Sequence, residues 1–240
     1  MTRAHARVLL VGMGGIGCLA AMALARAGIG TLGLCDDDEV QLSNLHRQIL
    51  FSLEDVGQSK VDAAAKRLGA FAVGADVIVH CERLMPDRAV DLVSDYDIVL
   101  EGADNFATKF LAADACRLAG VPVVHASAVR WVATALAVGA GGRPCYRCVF
   151  EDLPIDGVFG CSQAGVMGPV VGVIAAAQAD LALALIDGAP VEGQLVTFDG
   201  RTDAMRRRRI RPRADCDLCG HRPLIRDIEP NTYLTPPSAG

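Results

Sequence analysis

Two short cysteine pairs constrain this chain more than any other feature: Cys145-Tyr146-Arg147-Cys148 and Cys216-Asp217-Leu218-Cys219. A Cys-X2-Cys turn lets two thiolates reach one ion about 2.3 Å away, and two such turns supply the four sulfurs of a closed tetrahedral zinc site. One pair alone is ambiguous, because redox motifs share the spacing. Two pairs favour structural zinc over separate disulfides or incidental core cysteines. An ion held by all four would pin the C-terminal end of the chain to its middle. Five more cysteines, Cys18, Cys35, Cys81, Cys116 and Cys161, follow no regular framework, which argues against a secreted disulfide scaffold.

The N-terminal half sets the fold class. Residues 7–11 are an apolar run that ends in glycines, 18–27 read as a helix stopped by Gly28 and Gly30, and 31–35 are a second apolar run closing on Asp36-Asp37-Asp38. Strand, glycine turn, helix, strand is the opening of a parallel α/β sheet. Further strands are predicted at 76–80, 97–100 and 121–125, with a helix over 106–119 that Gly120 ends. From about residue 127 the character changes. A strand is predicted over 131–138, an exposed loop over 151–161, a long Ala-rich helix over 166–186, and a hairpin of 195–199 with 205–211. The 240 residues suit one domain, 1–226, in two halves: about 7–126 and about 127–226, the second closed by zinc. Residues 227–240 read as a loose tail.

Bulk properties exclude some partners. The net charge of −5 gives no general reason to expect nucleic acid or an anionic membrane. Arg206-Arg207-Arg208-Arg209, with Arg211 and Arg213, is a local exception that reads either as a solvated strand edge or as a docking patch for an acidic protein. The basic start and apolar stretch over 8–25 imitate a signal peptide, but Gly12, Gly14, Gly15 and Gly17 interrupt it. With no run of about 20 uninterrupted apolar residues, a soluble cytoplasmic protein is the expectation.

Those glycines carry chemistry. Gly12-Met13-Gly14-Gly15-Ile16-Gly17 follows a strand and opens a helix, where glycine permits close approach to a phosphate and the helix N-terminus offers free N–H groups. The string fits the dinucleotide fingerprint, though a tight turn in an ordinary βαβ unit reads the same way. Asp36, at the end of the second strand, is placed to accept hydrogen bonds from ribose hydroxyls. The next segment separates ATP from NAD. Asn44, Arg47, Gln48 and Lys60 stand close behind the glycine loop, and two cations suit a triphosphate and the charge that develops when its α-phosphorus is attacked. Asp104, expected at the carboxyl end of a strand, reads as a magnesium ligand or as the N-cap of the helix after it.

Together these residues resemble the MoeB/ThiF/HesA family of adenylating enzymes, relatives of the ubiquitin-activating enzymes. The matching motifs are the glycine loop, Asp36-X-Asp38-X-Val40-X2-Ser43-Asn44-Leu45-X-Arg47-Gln48, Val56-Gly57-Gln58-X-Lys60, Asp104-Asn105-Phe106, both cysteine pairs, and Cys161-X2-Ala164-Gly165-Val166-X-Gly168-Pro169-Val170-X-Gly172. The resemblance implies a Rossmann-like mixed sheet with helices on both faces, ATP, Mg2+ and Zn2+ as cofactors, and a homodimer. Its implied reaction is adenylation of the C-terminal glycine of a small ubiquitin-like sulfur carrier of the MoaD or ThiS type, ending in Gly-Gly. A thiocarboxylate then forms with sulfur from a separate donor. By carry-over, Gly15 and Asp36 hold phosphate and ribose, and Ser43, Asn44, Arg47 and Lys60 surround the triphosphate. Gly12, Gly14, Gly17, Asp38, Leu45, His46 and Gln48 complete the nucleotide site, Asp104 binds magnesium, and Asn105 lies beside the nucleotide. The second half becomes the carrier-binding half. Cys161 follows an exposed loop and precedes a helix N-terminus; it reads either as a covalent way-station for the carrier or as a small residue at a helix entry.

Two departures qualify the resemblance. Relatives usually carry a longer segment before the first strand, with an arginine reaching the other subunit's ATP site. Where relatives often read Glu-Gly-Gln, this chain has Val132-Ala133-Thr134. The first departure keeps a non-catalytic or half-site subunit open as an alternative. A nicotinamide-dependent oxidoreductase rests on the glycines and Asp36 alone.

Overall fold

A computed structural model of the chain describes residues 1–70, 74–153 and 165–233. Eight strands form one sheet: β1 (Arg7–Val11), β2 (Thr31–Cys35), β3 (Asp76–His80), β4 (Ile98–Glu101), β5 (Val123–Val129), β6 (Val132–Val138), β7 (Gln194–Asp199) and β8 (Ala204–Arg209). Their spatial order is β3-β2-β1-β4-β5-β6-β7-β8. Pairings from β3 through β5 are parallel, and those from β5 through β8 are antiparallel. The sequence follows this division. β1, β2 and β4 are near-continuous apolar runs because helices cover both their faces, whereas β8 lies at the edge and carries exposed arginines.

The helices are α1 (Gly15–Arg26), α2 (Lys60–Gly69), α3 (Ala89–Ser94), α4 (Phe106–Ala119) and α5 (Gly168–Ile186). One core joins α1, α2 and α5 to a face of the sheet through residues such as Leu24, Leu68 and Ile174. A second joins α3 and α4 to the other face around Phe110, Leu92 and Val99. The predicted Rossmann-like mixed sheet with helices on both faces is what the chain forms.

Local signals explain most boundaries. α4 starts where Asn105 Oδ1 accepts the Thr108 amide at 2.8 Å, and it stops at Gly120 in the left-handed conformation, φ 70°. α1 begins at Gly15, earlier than expected from residue 18, because the glycine turn itself supplies the first helical residues. α2 and α3 were not anticipated. β5 extends to Val129 because it pairs along its whole length with β6.

One expectation is sharpened and another is corrected. α5 is 19 residues with mean hydropathy 1.9, long and apolar enough to span a bilayer by composition. Here it is a core helix, packed on α1 and on β4 through β7, with Gln178 Nε2 donating to the carbonyls of Glu101 (2.9 Å) and Val124 (2.8 Å). The tail is not loose from residue 227. A 3-10 turn at Pro230–Tyr233 docks on α4, and the buried Tyr233 hydroxyl donates to Asp114 Oδ2 at 2.6 Å.

The arginine run sits where a solvated edge was expected. Arg206–Arg209 are exposed on β8, and Arg207 reaches Asp180 on α5 at 3.7 Å.

Candidate functional site

An open cleft lies at the carboxyl ends of β1 and β4. These adjacent strands send their connections in opposite directions, one towards β2 and the other towards β5, and ligands in such sheets bind where the order reverses.

The glycine loop forms its floor. Gly12 has φ +92°, and its N–H donates to the Cys35 carbonyl at 2.8 Å. A side chain at Gly17 would place Cβ 2.0 Å from the Gly12 carbonyl oxygen, so glycine there lets the turn close on itself. Gly17 does not line the cleft; Gly12, Gly14 and Gly15 do. A Cβ at Gly15 would meet the Arg47 carbonyl at 3.0 Å, so this glycine admits the arginine-bearing segment. Gly14, the N-cap of α1, offers no side chain to the first-turn amides, which leaves them for an anion.

Asp36 ties this loop to the segment that follows β2. Its Oδ2 accepts the Met13 amide at 2.6 Å, and its Oδ1 accepts the Asp38 amide at 2.8 Å. Burial pushes the Asp36 carboxyl up, and Lys60 with the two amides offsets part of that. Lys60, the first residue of α2, is buried and bonds Asp38 Oδ2 at 2.7 Å, with Asp36 Oδ1 at 3.6 Å. Asn44, Arg47 and Gln48 line the same cleft. Among the described residues the Arg47 guanidinium makes one hydrogen bond, to His46 Nε2 at 3.5 Å, so most of its donors remain available. Gln48 is 2% exposed, yet its Oε1 has no hydrogen-bond partner among the described residues. A buried orphan acceptor on a cleft wall is what a ligand donor would satisfy.

Asp104 and Asn105 come from the β4–α4 turn. The cap of α4 is Asn105, not Asp104. Asp104 is exposed, lines the cleft and makes no hydrogen bond to a described residue, so its carboxylate is free to hold a cation. Ser43, Leu45 and His46 do not line the cleft. His46 Nδ1 instead meets the Ser43 carbonyl at 2.9 Å, and Leu45 packs on the core, so these residues shape the turn that presents Asn44 and Arg47.

Several lining residues went unrecognised in the sequence: Asp37, Arg83, Leu84, Thr108, Ser127 and Val171. Arg83, whose Nε lies 3.3 Å from Asp37 Oδ1, stands alone after β3 with no motif around it. Cys161 lies outside the described residues.

The four paired cysteines meet away from the cleft. Their Sγ atoms lie within 4.8 Å of one another, with separations of 3.8 Å (Cys145–Cys148), 3.5 Å (Cys145–Cys216) and 3.4 Å (Cys148–Cys219). Sulfurs on a zinc tetrahedron with bonds of about 2.3 Å stand about 3.8 Å apart, so this donor set fits the ion. Cys148 Sγ also accepts the Arg213 amide at 3.4 Å, an outer contact that steadies a thiolate. Arg147, inside the first pair, makes a bidentate pair with the fully buried Asp114 on α4, Nε–Oδ1 2.9 Å and Nη2–Oδ2 2.8 Å.

Fold and cleft define an α/β domain with a glycine-loop cleft at a strand-order reversal, lined by arginine, lysine and an exposed carboxylate. The chain belongs to the ThiF family, whose model matches residues 3–219. "Adenylyltransferase and sulfurtransferase MOCS3" of Bos taurus is 43% identical over 232 residues, covering 94% of this chain and 50% of the relative. The protein of the same description from Dictyostelium discoideum is 36% identical over 233 residues, covering 95% and 55%. The chain thus spans about half the length of the curated relatives it matches. The crystal structure of E. coli MccB superposes with TM-score 0.81 at 24% identity, covering 92% of this chain and 67% of that one. SeMet PaaA superposes with TM-score 0.73 at 24%, covering 88% and 66%. Both show the fold alone.

Proposed function

We propose that this chain acts as a single adenylation domain over residues 1–226, activating the C-terminal glycine of a small ubiquitin-like sulfur carrier with ATP. The observation that carries this reading is the convergence of Arg47, Lys60 and Asp104, from three separate segments, around the glycine loop. Family membership and relatives described as adenylyltransferases support it.

In this reading the carrier's carboxylate oxygen attacks the α-phosphorus of ATP. An O–P bond forms, the bond to the β-phosphate oxygen breaks, and pyrophosphate leaves with its electron pair. The nucleophile is already ionised, so no side-chain base is required; catalysis is positioning and charge stabilisation. The Gly14 and Gly15 backbone and the α1 N-terminus cradle phosphate, and Asp36 takes ribose hydroxyls. Asn44, Arg47 and Lys60 meet the triphosphate oxygens. Asp104 would hold magnesium, which supplies further neutralisation of the phosphates. The four cysteines would hold zinc as a staple of the second half. A homodimer is also part of the proposal. Leu42, Ile49, Leu53 and Val56, 64%, 60%, 71% and 43% exposed, cluster in the segment that supplies Arg47, and a second copy of the chain would cover them.

ATP–pyrophosphate exchange tests the reading. Exchange should require a carrier protein ending in Gly-Gly, and Arg47→Ala should reduce it by about a hundredfold or more. Absence of exchange with every cognate carrier, or full activity in Arg47→Ala, would overturn it.

A further inference from the structure

One wall of the cleft is assembled from three separate pieces of chain: the turn 102–105, Thr108 on the first turn of α4, and Ser127 with Ala128 on β5. All three are tied to one carboxylate. Glu101, the last residue of β4, is fully buried. Its Oε1 accepts the Ala103 amide at 2.6 Å. Lys109 Nζ donates to Oε1 and Oε2 at 3.0 Å each and to the Ala126 carbonyl at 2.7 Å, which uses all three of its protons. His125 Nδ1 lies 3.1 Å from Oε2.

Stability alone is a weak reason for this arrangement. A buried ion pair gains little over well-packed apolar residues of the same volume, because taking both charges out of water offsets their attraction. The distinctive property is where the donors come from. The turn carrying Asp104 is held through Ala103, α4 through Lys109, and β5 through His125 and Ala126. The turn is also wedged against the glycine loop, since a Cβ on Gly12 would sit 3.1 Å from the Ala103 nitrogen.

We propose that Glu101 and Lys109 are positioning residues for adenylyl transfer, fixing the distance between the Asp104 turn, the Ser127 edge of β5 and the glycine loop. This rests on the adenylation reading for its chemistry and on the cleft geometry for its mechanics. Among the described residues no hydrogen bond or ion pair joins Asp36, Arg47 or Lys60 to Glu101, so the clamp acts chiefly on the Asp104 side of the cleft. Placement of Asp104 matters most as charge develops on the phosphates, so a loosened clamp lowers kcat while leaving ATP affinity nearly intact.

Glu101→Asp tests this, because one methylene less cannot reach Ala103, Lys109 and His125 together. With ATP, Mg2+ and a Gly-Gly carrier, kcat should fall about tenfold or more, the Mg2+ concentration for half-maximal rate should rise, and the ATP Kd should change less than about threefold. The paired variant Glu101→Asp/Lys109→Arg, in which the longer base meets the shorter acid, should recover much of the rate. Amide hydrogen exchange of the ATP–Mg2+ complex provides a readout that needs no turnover. Residues 102–105 should exchange faster in Glu101→Asp than in the native chain, while β1 and β2 stay protected. A folded Glu101→Asp with native kcat, with ATP affinity lost in proportion to rate, or with unchanged exchange at 102–105 overturns the clamp. If the native chain shows no pyrophosphate exchange, the adenylation reading fails, and the hydrogen-exchange comparison still decides the clamp.

Discussion

His125 has an unusual position for a histidine. It is buried, with Nδ1 on Glu101 Oε2 and with Nε2 lacking a partner among the described residues. The Tyr146 ring lies 4.5 Å away, and Lys109 and Asp114 complete its charged surroundings. Burial pulls its pKa below the ordinary value of 6.5, and Glu101 only partly restores it. Between the folded and ordinary values the unfolded chain binds a proton that the folded chain refuses, so stability declines as pH falls through that window. Glu101 acts in the same direction at lower pH. Desolvation pushes its carboxyl up, but Lys109 and His125 outweigh it, so its folded value lies below the usual carboxylate range. Its contribution, full above that range, is lost as pH drops through the folded value. The melting temperature of His125→Gln, which retains an amide donor towards Glu101, should therefore vary less between about pH 6.5 and 5.5 than that of the native chain. Equal slopes in a thermal-shift series would contradict the assignment. None of this was legible in the sequence. Glu101, Lys109 and His125 sit in unremarkable local contexts and meet because β4, α4 and β5 are neighbours in space.

At the scale of elements, local signals were the reliable ones. The glycine loop, the Gly120 stop and both hairpin strands carry their own chemistry in a few consecutive residues, so pattern reading recovered them. α2 and α3 escaped because their apolar stripes are short and their partners remote. Asp104 and Asn105 both line the cleft, and of the two readings open for Asp104 the helix cap falls instead to its neighbour Asn105. The helix takes the amide and leaves the carboxylate to the cleft. Asn105→Ala should remove the bond to the Thr108 amide and cost about 1 kcal/mol of stability, measurable by urea denaturation. Ser43, Leu45 and His46 belong to a specific motif, yet they lie outside the cleft lining. A motif records what a turn needs as well as what a ligand touches.

At the scale of the whole molecule, the cysteine pairs do what their spacing predicts and bring residues 145–148 against 216–219. Replacing Cys216 with serine would leave three ligands where four fit, and the expected loss is about 3 kcal/mol or more of stability, with activity falling as a consequence. Thermal unfolding with and without added Zn2+ checks this; an unshifted transition in both would show that the cluster binds no ion that matters to folding. Arg147 extends the consequence beyond the cluster. It sits between two sulfur ligands and grips Asp114 in the body of α4, while the N-terminal end of the same helix presents Asn105 and follows Asp104. α4 therefore joins the four-cysteine cluster, through Asp114 on its shaft, to the cleft at its N-terminal end. A sample stripped by a chelating buffer would imitate an active-site lesion, with every residue of the cleft still intact.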